Sequence, residues 1–396
     1  MNFIEKVYNM TGVEELIASP SIIIMLIISL FLLYLGIKKK YEPLLLVPIG
    51  FGMLLANLPG ANLGVSNMLD NKSLIEIAQN NGIINFLYYA LIKSGFLPPI
   101  IFMGVGALTD FGPMLKNLRL VFFGAAAQIG IFIVLVSATL FGLPANEAAS
   151  IAIIGGADGP TAIYTSIILA PHLLGPIAIA AYSYMALVPV IIPFVVKYTV
   201  SKNELNINMK KQDEKFPSST EIKNIDTLKI LFPIIITILI SIIVPSAAPL
   251  IGLLMFGNLV KEIGSATGRL SRAASDTILN SSTIFLGLTI GATMTHESFL
   301  NFKTLSIIVG GLMAFVLSVL GGILAVKIFN LFTKKKINPL IGATGLSAVP
   351  MASRVSNEIA LKYDSSNHIM HYAMASNISG VIGSAVAAGV LISFIS

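Results

Sequence analysis

Long apolar segments separated by short polar ones occupy almost the whole chain. A straight transmembrane helix needs about 20 consecutive apolar residues, and several segments reach or approach this length. One longer polar stretch, residues 200–228, is rich in Lys, Asn, Ser and Glu and divides the segments into two groups. The pattern predicts an all-α polytopic membrane protein. The apolar segments lie at about 20–37, 42–58, 84–108, 118–142, 148–170, 174–198, 228–248, 249–263, 274–294, 304–331, 337–353 and 369–395.

The composition agrees with a lipid environment. Of the 396 residues, 55% are hydrophobic and 11% are charged, whereas a soluble domain carries about 25% charged residues. The net charge of +6 is explained by Lys and Arg gathered in cytoplasmic loops, and we expect no nucleic acid partner. Cysteine is absent, which excludes disulfides and thiolate metal sites. We expect a multi-pass protein of the bacterial cytoplasmic (inner) membrane.

The distribution of basic residues predicts that segment 148–170 enters the membrane and returns on the same side. If it crossed completely, the Lys-rich stretch after residue 200 would lie outside, although positive charge collects in cytoplasmic loops. The segment contains a helix-breaking run from Gly155 to Pro160. Irregular backbone at membrane depth is tolerated where it is buried in protein or lines a cavity. We therefore expect 148–170 to be re-entrant and 201–228 to be a cytoplasmic polar loop.

The second half of the chain repeats this plan with the opposite polarity. Segment 337–353 is expected to dip from the cytoplasm and return, which places both termini outside. The run from Gly106 to Thr109 is echoed 185 positions later, and the run from Ile154 to Ala157 is echoed 187 positions later. Inverted repeats with broken helices that meet at the midplane are typical of secondary transporters. We predict a first repeat over 1–200 and a second, inverted repeat over 229–396.

Asp158, within the first re-entrant segment, is the foremost candidate for a functional residue. An ionised carboxylate at a helix centre costs about 2.5–3.5 kcal/mol on insertion scales, so it needs a partner there. A small hard cation takes oxygen ligands, and the glycines free carbonyl oxygens while Thr161 adds a hydroxyl. The alternative is an ordinary turn aspartate at the membrane interface.

Further polar residues lie in the apolar segments, and each has a structural alternative. The second dip, from Asn338 to Ser347, offers amide, hydroxyl and carbonyl oxygens, but Gly and Ser also serve helix packing. Asn377 is a cation ligand or a packing clamp. Tyr182 and Tyr184 belong to an aromatic belt or relay protons. Arg354 snorkels to the interface or attracts an anionic substrate.

Several long motifs in the same order strongly resemble the beta subunit of sodium-pumping, biotin-dependent decarboxylases. This family comprises oxaloacetate, methylmalonyl-CoA, glutaconyl-CoA and malonate decarboxylase complexes, and the resemblance covers nearly the whole chain after about residue 20. The motifs are Gly104 to Pro113, Gly155 to Thr161, Asn338 to Gly342, Ser347 to Arg354 and Asn377 to Gly389.

The resemblance implies that the chain decarboxylates carboxybiotin, consumes a proton and drives sodium outward. A carboxyltransferase alpha subunit, a biotin carrier protein and a small single-span gamma subunit are the implied partners, with a trimer of the membrane subunit. Asp158 resembles the sodium-binding aspartate of the family, and Asn377 its partner. Tyr184 resembles a tyrosine linked to sodium and proton handling. Other matched positions are Asn338, Gly342, Ser347 and Arg354, the last a carboxybiotin contact by charge and position.

Two other interpretations remain open from the residues alone. A sodium/proton antiporter or similar elevator carrier would share the repeats and the buried Asp158, but not the long family motifs. A purely structural membrane subunit would leave a costly aspartate in a broken helix without explanation. Met209-Lys210-Lys211 does not match a biotinylation motif, so biotin must come on a partner. The sequence does not identify the acid that is consumed.

Overall fold

The computed structural model describes residues 11–40, 42–65, 69, 71–216, 224–300, 302–348 and 350–396, and this part of the chain is helical without strands. The predicted all-α class is therefore confirmed. The helices of eight or more residues, numbered in chain order, are α1 (Ser21–Ile37), α2 (Pro43–Ala56), α3 (Leu97–Leu108), α4 (Leu118–Ala127), α5 (Ile129–Leu140), α6 (Ala145–Ala152), α7 (Gly159–Leu169), α8 (Leu174–Ala186), α9 (Val188–Thr199), α10 (Ile225–Ile243), α11 (Ala248–Glu262), α12 (Leu279–Ala292), α13 (Phe302–Phe332), α14 (Met351–Tyr363) and α15 (Met370–Ile395).

Shorter helical turns connect or interrupt these helices. Two π-helical turns, Tyr88–Lys93 and Ala273–Ile278, precede α3 and α12. The 3₁₀ turns with described bounds include Ile153–Gly156, Pro171–Leu173, Pro245–Ala247 and Gly264–Ala266. The short α-helical pieces are Val13–Ala18, Leu74–Asn80, Gly82–Leu87, Gly112–Lys116, Lys202–Leu205, Met209–Lys215, Gly268–Arg272, His296–Phe299 and Leu340–Ala343.

Four stretches in the described part of the chain are long and apolar enough to cross a membrane. They are Leu118–Leu140, Ile225–Ile243, Thr304–Phe332 and Met370–Ile395. Two bent pairs raise the number to six if each is one span. Gly82–Lys93 continues into Leu97–Leu108 with a bend of 68°, and Pro171–Met185 into Val188–Thr199 with a bend of 67°. The chain is thus an integral membrane protein with interrupted helices.

The two predicted re-entrant segments are both broken, but the second is longer than expected. Segment 148–170 consists of α6, a 3₁₀ turn and α7. Segment 337–353 was expected to end near residue 353, yet α14 begins at Met351 and runs to Tyr363. The hydropathy pattern missed this helix because its exposed residues include the charged Arg354, Glu358 and Lys362. Its apolar side packs inside the protein, with Val355 and Ile359 buried.

The polar stretch 201–228 is more ordered than a plain loop. It contains the helices Lys202–Leu205 and Met209–Lys215, and α10 already begins at Ile225. Residues 217–223, which include the expected cytoplasmic Lys223, lie outside the described residues. The expected placement of this stretch in the cytoplasm stays a prediction.

Hydrogen bonds attach this polar stretch to both ends of the second broken segment. Asn338 donates its amide hydrogens to the carbonyl oxygens of Leu205 and Ile207, each at 3.0 Å. Asn208 donates to Asp364 at 2.9 Å. The hydrogen bonds from Ser366 and Asn208 lower the pKa of Asp364 to about 2. The beginning and the end of the second segment are thereby held at the same place.

The two ends of the first broken segment also lie together. Asn146 in α6 donates to the carbonyl oxygen of Leu169, the last residue of α7, at 2.9 Å. His172 and Glu147 also approach to 2.9 Å. The re-entrant course of this segment stays a prediction.

Two glycine-mediated helix crossings use equivalent positions of the two halves. In the pair α3–α11, a Cβ at Gly257 would collide with the carbonyl oxygen of Met103. In the pair α2–α12, a Cβ at Gly52 would collide with the carbonyl oxygen of Leu288. Met103 and Leu288 are separated by the same 185 positions as the repeated sequence runs. Close backbone approach at small residues is the usual basis of membrane helix packing. The inverted relation of the halves itself stays a prediction.

Replacing Gly257 by Ala should destabilise the crossing of α3 and α11. The added methyl group must displace the backbone of α3, and overpacking of this kind costs about 1–3 kcal/mol. Gly252 on the same helix is the matched control, because its nearest neighbour for a Cβ is Thr237 Cγ2 at 4.0 Å. Thermal unfolding in detergent should show a lower Tm for Gly257→Ala and an unchanged or higher Tm for Gly252→Ala. Equal Tm values for the two variants would contradict the close contact.

Candidate functional site

The first helix break places Asp158 at the beginning of α7. The 3₁₀ turn Ile153–Gly156 ends at Ala157, which has a left-handed backbone with φ of 52°. The chain reverses there, and Asp158 becomes the N-cap of α7, accepting a hydrogen bond from the backbone N–H of Thr161 at 3.2 Å. Pro160 occupies the first turn, where its missing N–H is not needed. The sequence Gly-Gly-Ala-Asp-Gly-Pro thus ends one helical piece and caps the next.

The Asp158 carboxylate is buried, with 5% of the residue exposed, and two serine hydroxyl groups bind it. Ser347, in the second broken segment, donates to Oδ2 at 2.8 Å. Ser384, in α15, donates to the same oxygen at 2.9 Å. The backbone N–H of Ser347 also donates to the carbonyl oxygen of Gly156 at 2.9 Å. The two helix breaks therefore contact each other directly at Asp158.

The groups around Asp158 are neutral. Within the described ranges, no Lys, Arg or His forms an ion pair with it. No group of three His, Cys, Asp or Glu residues in the same ranges could hold a metal ion. A buried carboxylate without a cationic partner needs a proton or a bound cation to neutralise it. The surrounding hydroxyl and carbonyl oxygens are the ligands that hard cations take.

Thr161 and Tyr182 place further polar atoms beside the carboxylate. The hydroxyl groups of both are buried without a well-formed hydrogen bond to any described residue. The ring of Tyr182 lies directly against Gly159, where any side chain would collide with it. An aromatic belt or a proton relay is the expectation for this residue from the sequence, and Tyr182 is a fully buried residue rather than a belt residue.

Tyr184 lies elsewhere. Its hydroxyl group donates to the carbonyl oxygen of Ile308 in α13, and its ring packs near Gly311 and Ile154. Of the two tyrosines, Tyr182 is therefore the one beside Asp158, whereas Tyr184 faces the other side of the first break. Its role by resemblance stays a prediction.

Asn377 in α15 binds the residue before Ser347 rather than Asp158 itself. Its amide donates to the carbonyl oxygen of Leu346, and its oxygen accepts a hydrogen bond from Ser353 at 3.4 Å. Asn377 thus holds the second break in position between the serine that binds Asp158 and the first turn of α14.

The structure does not bring the other two predicted metal ligands to the carboxylate. The amide nitrogen of Asn338 donates to the polar stretch 201–216, as described above. Its amide oxygen accepts a hydrogen bond from the N–H of Leu340 at 3.0 Å. Gly342 packs backbone to backbone against Gly322 of α13. Arg354 is exposed on the first turn of α14, next to Ser353. Thr161 and Ser347 are therefore the predicted ligands that the fold places at Asp158.

Ser384 is a site residue that the sequence analysis missed. It follows Asn377 by seven positions, and residues seven apart lie on the same face of a helix. Gly380 lies between them on this face and packs against the backbone of Gly345 and Leu346. The seven-residue spacing from Asn377 was the available signal in the sequence. Serine is common in membrane helices that are rich in small residues, so this spacing alone did not identify Ser384.

Comparisons with known proteins identify the family of the chain. A family model described as the Na⁺-transporting oxaloacetate decarboxylase beta subunit matches residues 21–395. The chain belongs to this family. It is 47% identical to the methylmalonyl-CoA decarboxylase subunit beta of Propionigenium modestum, over 98% of this chain and 97% of the relative. It is 43% identical to the oxaloacetate decarboxylase beta chain 2 of Salmonella typhimurium, over 94% of each chain.

A further relative is the methylmalonyl-CoA decarboxylase subunit beta of Veillonella parvula, at 46% identity over 94% of this chain and 93% of the relative. The resemblance inferred from the motifs is thus confirmed at the level of the family. As a member of the Na⁺-transporting decarboxylase beta-subunit family, the chain is expected to carry a cation site, and the Asp158 cluster is the candidate.

Replacing Ser384 by Ala should destabilise the protein, because Asp158 then loses one of its two hydroxyl donors. A hydrogen bond to a charged group contributes about 1.5–3 kcal/mol. Ser393 on the same helix is the matched control, since its bond with Ser246 is exposed and its removal should change stability by about 0.5 kcal/mol or less. Thermal unfolding measures the Tm of the two variants. A smaller decrease in Tm for Ser384→Ala than for Ser393→Ala would contradict the prediction.

Proposed function

We propose that this chain decarboxylates carboxybiotin and couples the reaction to outward sodium transport, with sodium bound at Asp158. The observation that supports the proposal is the buried carboxylate between two broken helical segments, surrounded by the neutral oxygens of Thr161, Ser347 and Ser384. One negative charge with neutral oxygen ligands matches a monovalent hard cation. Broken helices that meet around a midplane site are typical of secondary transporters.

Sodium and a proton compete for the same carboxylate in this proposal. When Asp158 is ionised, sodium neutralises it. When it is protonated, the carboxyl group itself is neutral and sodium leaves. Because moving one charge against 100 mV costs about 2.3 kcal/mol, a chemical step must drive the exchange. Movement of the two broken segments against the remaining helices would open the site to one side and then to the other.

Decarboxylation of carboxybiotin supplies the driving reaction. The bond between the ring nitrogen of biotin and the carboxylate carbon breaks, carbon dioxide leaves, and the nitrogen takes up a proton. The carboxylate substrate is anionic, so an arginine favours its binding. Arg354 is exposed although it lies only seven positions from Ser347, which suits contact with carboxybiotin that a partner carrier protein inserts from the cytoplasm.

The partners of the chain are those that the family resemblance implies. We infer that a carboxyltransferase alpha subunit loads the biotin carrier protein, that a single-span gamma subunit accompanies this chain, and that the membrane subunits form a trimer. We place both termini outside the cytoplasmic membrane. The contacts between the two ends of each broken segment support the re-entrant topology on which this orientation rests.

The relatives' names give the acids that they act on, and these differ. Methylmalonyl-CoA is named for the relatives at 47% and 46% identity, and oxaloacetate for the one at 43%. Chains this similar with different acids are consistent with our proposal that another subunit selects the acid. The alternative of a sodium/proton antiporter without decarboxylation is disfavoured by the match over residues 21–395.

Replacing Asp158 by Asn should abolish sodium-dependent decarboxylation and sodium uptake, because the site loses the charge that binds the cation. The measurement is ²²Na⁺ uptake into inverted vesicles that contain the assembled complex, supplied with each candidate acid, with avidin as the blocker of biotin. Asp276→Asn, at an exposed aspartate, is the control and should retain uptake. Full uptake by Asp158→Asn would refute the assignment.

Replacing Arg354 by Gln should weaken the use of carboxybiotin while leaving sodium binding intact. Loss of a hydrogen bond to a charged group costs about 1.5–3 kcal/mol, which corresponds to roughly a tenfold to hundredfold higher KM for free carboxybiotin or its carrier. Lys362→Gln, at an exposed position of the same helix, is the charge-matched control. An unchanged KM in Arg354→Gln, or an equal rise in both variants, would argue against this contact.

A further inference from the structure

We propose that Gln128 supplies an additional neutral oxygen ligand to the cation at Asp158 and helps the site to prefer sodium over a proton. The inference rests on the proposed function, because it concerns the same cation. Gln128 lies at the junction of α4 and α5 and is 5% exposed. Gln128 itself lies outside the motifs in the sequence.

The amide nitrogen of Gln128 is fully used. It donates to the carbonyl oxygens of Gly124 at 3.2 Å, Gly345 at 3.2 Å and Gly380 at 3.5 Å. Carbonyl oxygens only accept hydrogen bonds, so the nitrogen must face them. The hydrogen bonds therefore determine which atom of the amide is nitrogen and which is oxygen. The shape of the side chain alone does not distinguish the two.

The amide oxygen of Gln128 is buried and has no hydrogen-bond partner among the described residues. It lies 3.6 Å from the position that a Cβ at Gly156 would occupy, and that position is 3.0 Å from Ser384 Cβ. Ser384 binds Asp158, and the carbonyl group of Gly156 binds Ser347. The unpaired oxygen of Gln128 therefore lies on the side of the residues that surround the Asp158 carboxylate.

Two glycines leave the space that this arrangement requires. A side chain at Gly156 would enter the gap between Gln128 and Ser384, and a Cβ at Gly383 would lie 3.0 Å from Gln128 Cγ. A buried acceptor without a partner destabilises a protein. A cation bound between Asp158 and Gln128 satisfies that acceptor, and hard cations take amide oxygens together with carboxylates.

An amide oxygen affects sodium and proton binding differently. The carboxylate of Asp158 accepts either ion, whereas an amide does not protonate at physiological pH. A ligand of this kind stabilises the sodium-bound site without stabilising the protonated carboxyl group to the same extent. Loss of Gln128 should therefore raise the sodium concentration that is needed both at pH 6 and at pH 8, because it weakens sodium binding and leaves proton binding to the carboxylate in place.

The test is sodium-dependent thermal stabilisation of the full-length chain purified in detergent. The Tm is measured against NaCl concentration at pH 6 and pH 8, with choline chloride keeping the ionic strength constant, because a ligand that binds the folded state raises the Tm with its concentration. Gln128→Leu should raise the half-saturating sodium concentration about tenfold or more at both pH values. If this variant does not fold, Gln128→Asn, which draws the oxygen back by one methylene group, takes its place with the same expectation.

Asn258→Leu is the matched control. Asn258 is also a buried amide whose nitrogen donates to carbonyl oxygens, those of Gly106 and Thr109, and whose oxygen has no partner in the described ranges. It belongs to the crossing of α3 and α11, so its replacement should lower the Tm without changing the half-saturating sodium concentration. Equal changes in the control and in Gln128→Leu, or a wild-type value in Gln128→Leu, would overturn the inference.

Asp158→Asn separates this inference from the proposed function. If the wild-type protein is stabilised by sodium and Asp158→Asn is not, the cation site at Asp158 stands, and a wild-type response of Gln128→Leu then refutes the role of Gln128 alone. If Asp158→Asn responds to sodium like the wild type, the proposed function fails together with the inference.

Discussion

A carboxylate that is buried in a membrane protein without a basic partner must be neutralised in another way, and this constraint governs the centre of the molecule. Asp158 caps α7 at the first helix break, where Ser347 from the second break and Ser384 from α15 donate to it. Hydroxyl groups reduce the cost of burying the charge, but they do not cancel it. In the proposed function, the site changes between a protonated and a cation-bound state, and each of these states is neutral.

The two helix breaks bring the carboxylate and its hydroxyl donors together. They also require close packing at glycines, because the breaks must approach each other and α15. A broken helix frees polar backbone groups, which must be satisfied inside the protein. Here the N–H of Ser347 binds the carbonyl oxygen of Gly156, so each break satisfies a group of the other. Gly345 and Gly380 allow the second break to approach α15 closely enough for this contact. A movement that separates the breaks therefore removes a backbone hydrogen bond and a carboxylate ligand at once.

The sequence predicted those features that rest on local pattern. Hydropathy predicted the helical class, the run from Gly155 to Pro160 predicted the helix break before α7, and the cost of a buried carboxylate pointed to Asp158. What it missed depends on contacts between distant parts of the chain, such as the bond from Ser384, 226 positions after Asp158. Helix α14 escaped detection because it packs against other helices, and a helix sheltered by protein need not be apolar on every side. Asn338 and Gly342 lie at motif positions, yet they pack the second broken segment against neighbouring parts of the chain and do not contact the carboxylate.

In the proposed function, the position of Asn377 explains how an event at Arg354 can reach the proposed cation at Asp158 without direct contact. Asn377 bonds to Ser353, the neighbour of Arg354, and to the carbonyl oxygen of Leu346, the neighbour of Ser347. A shift of the first turn of α14 on binding an anion must strain one of these two bonds or move Leu346. Because Ser347 holds the Asp158 carboxylate through its hydroxyl group, moving Leu346 changes the ligands of the cation. The proposed coupling between decarboxylation and sodium release thus needs a displacement of one short segment, rather than a rearrangement of the whole helix bundle.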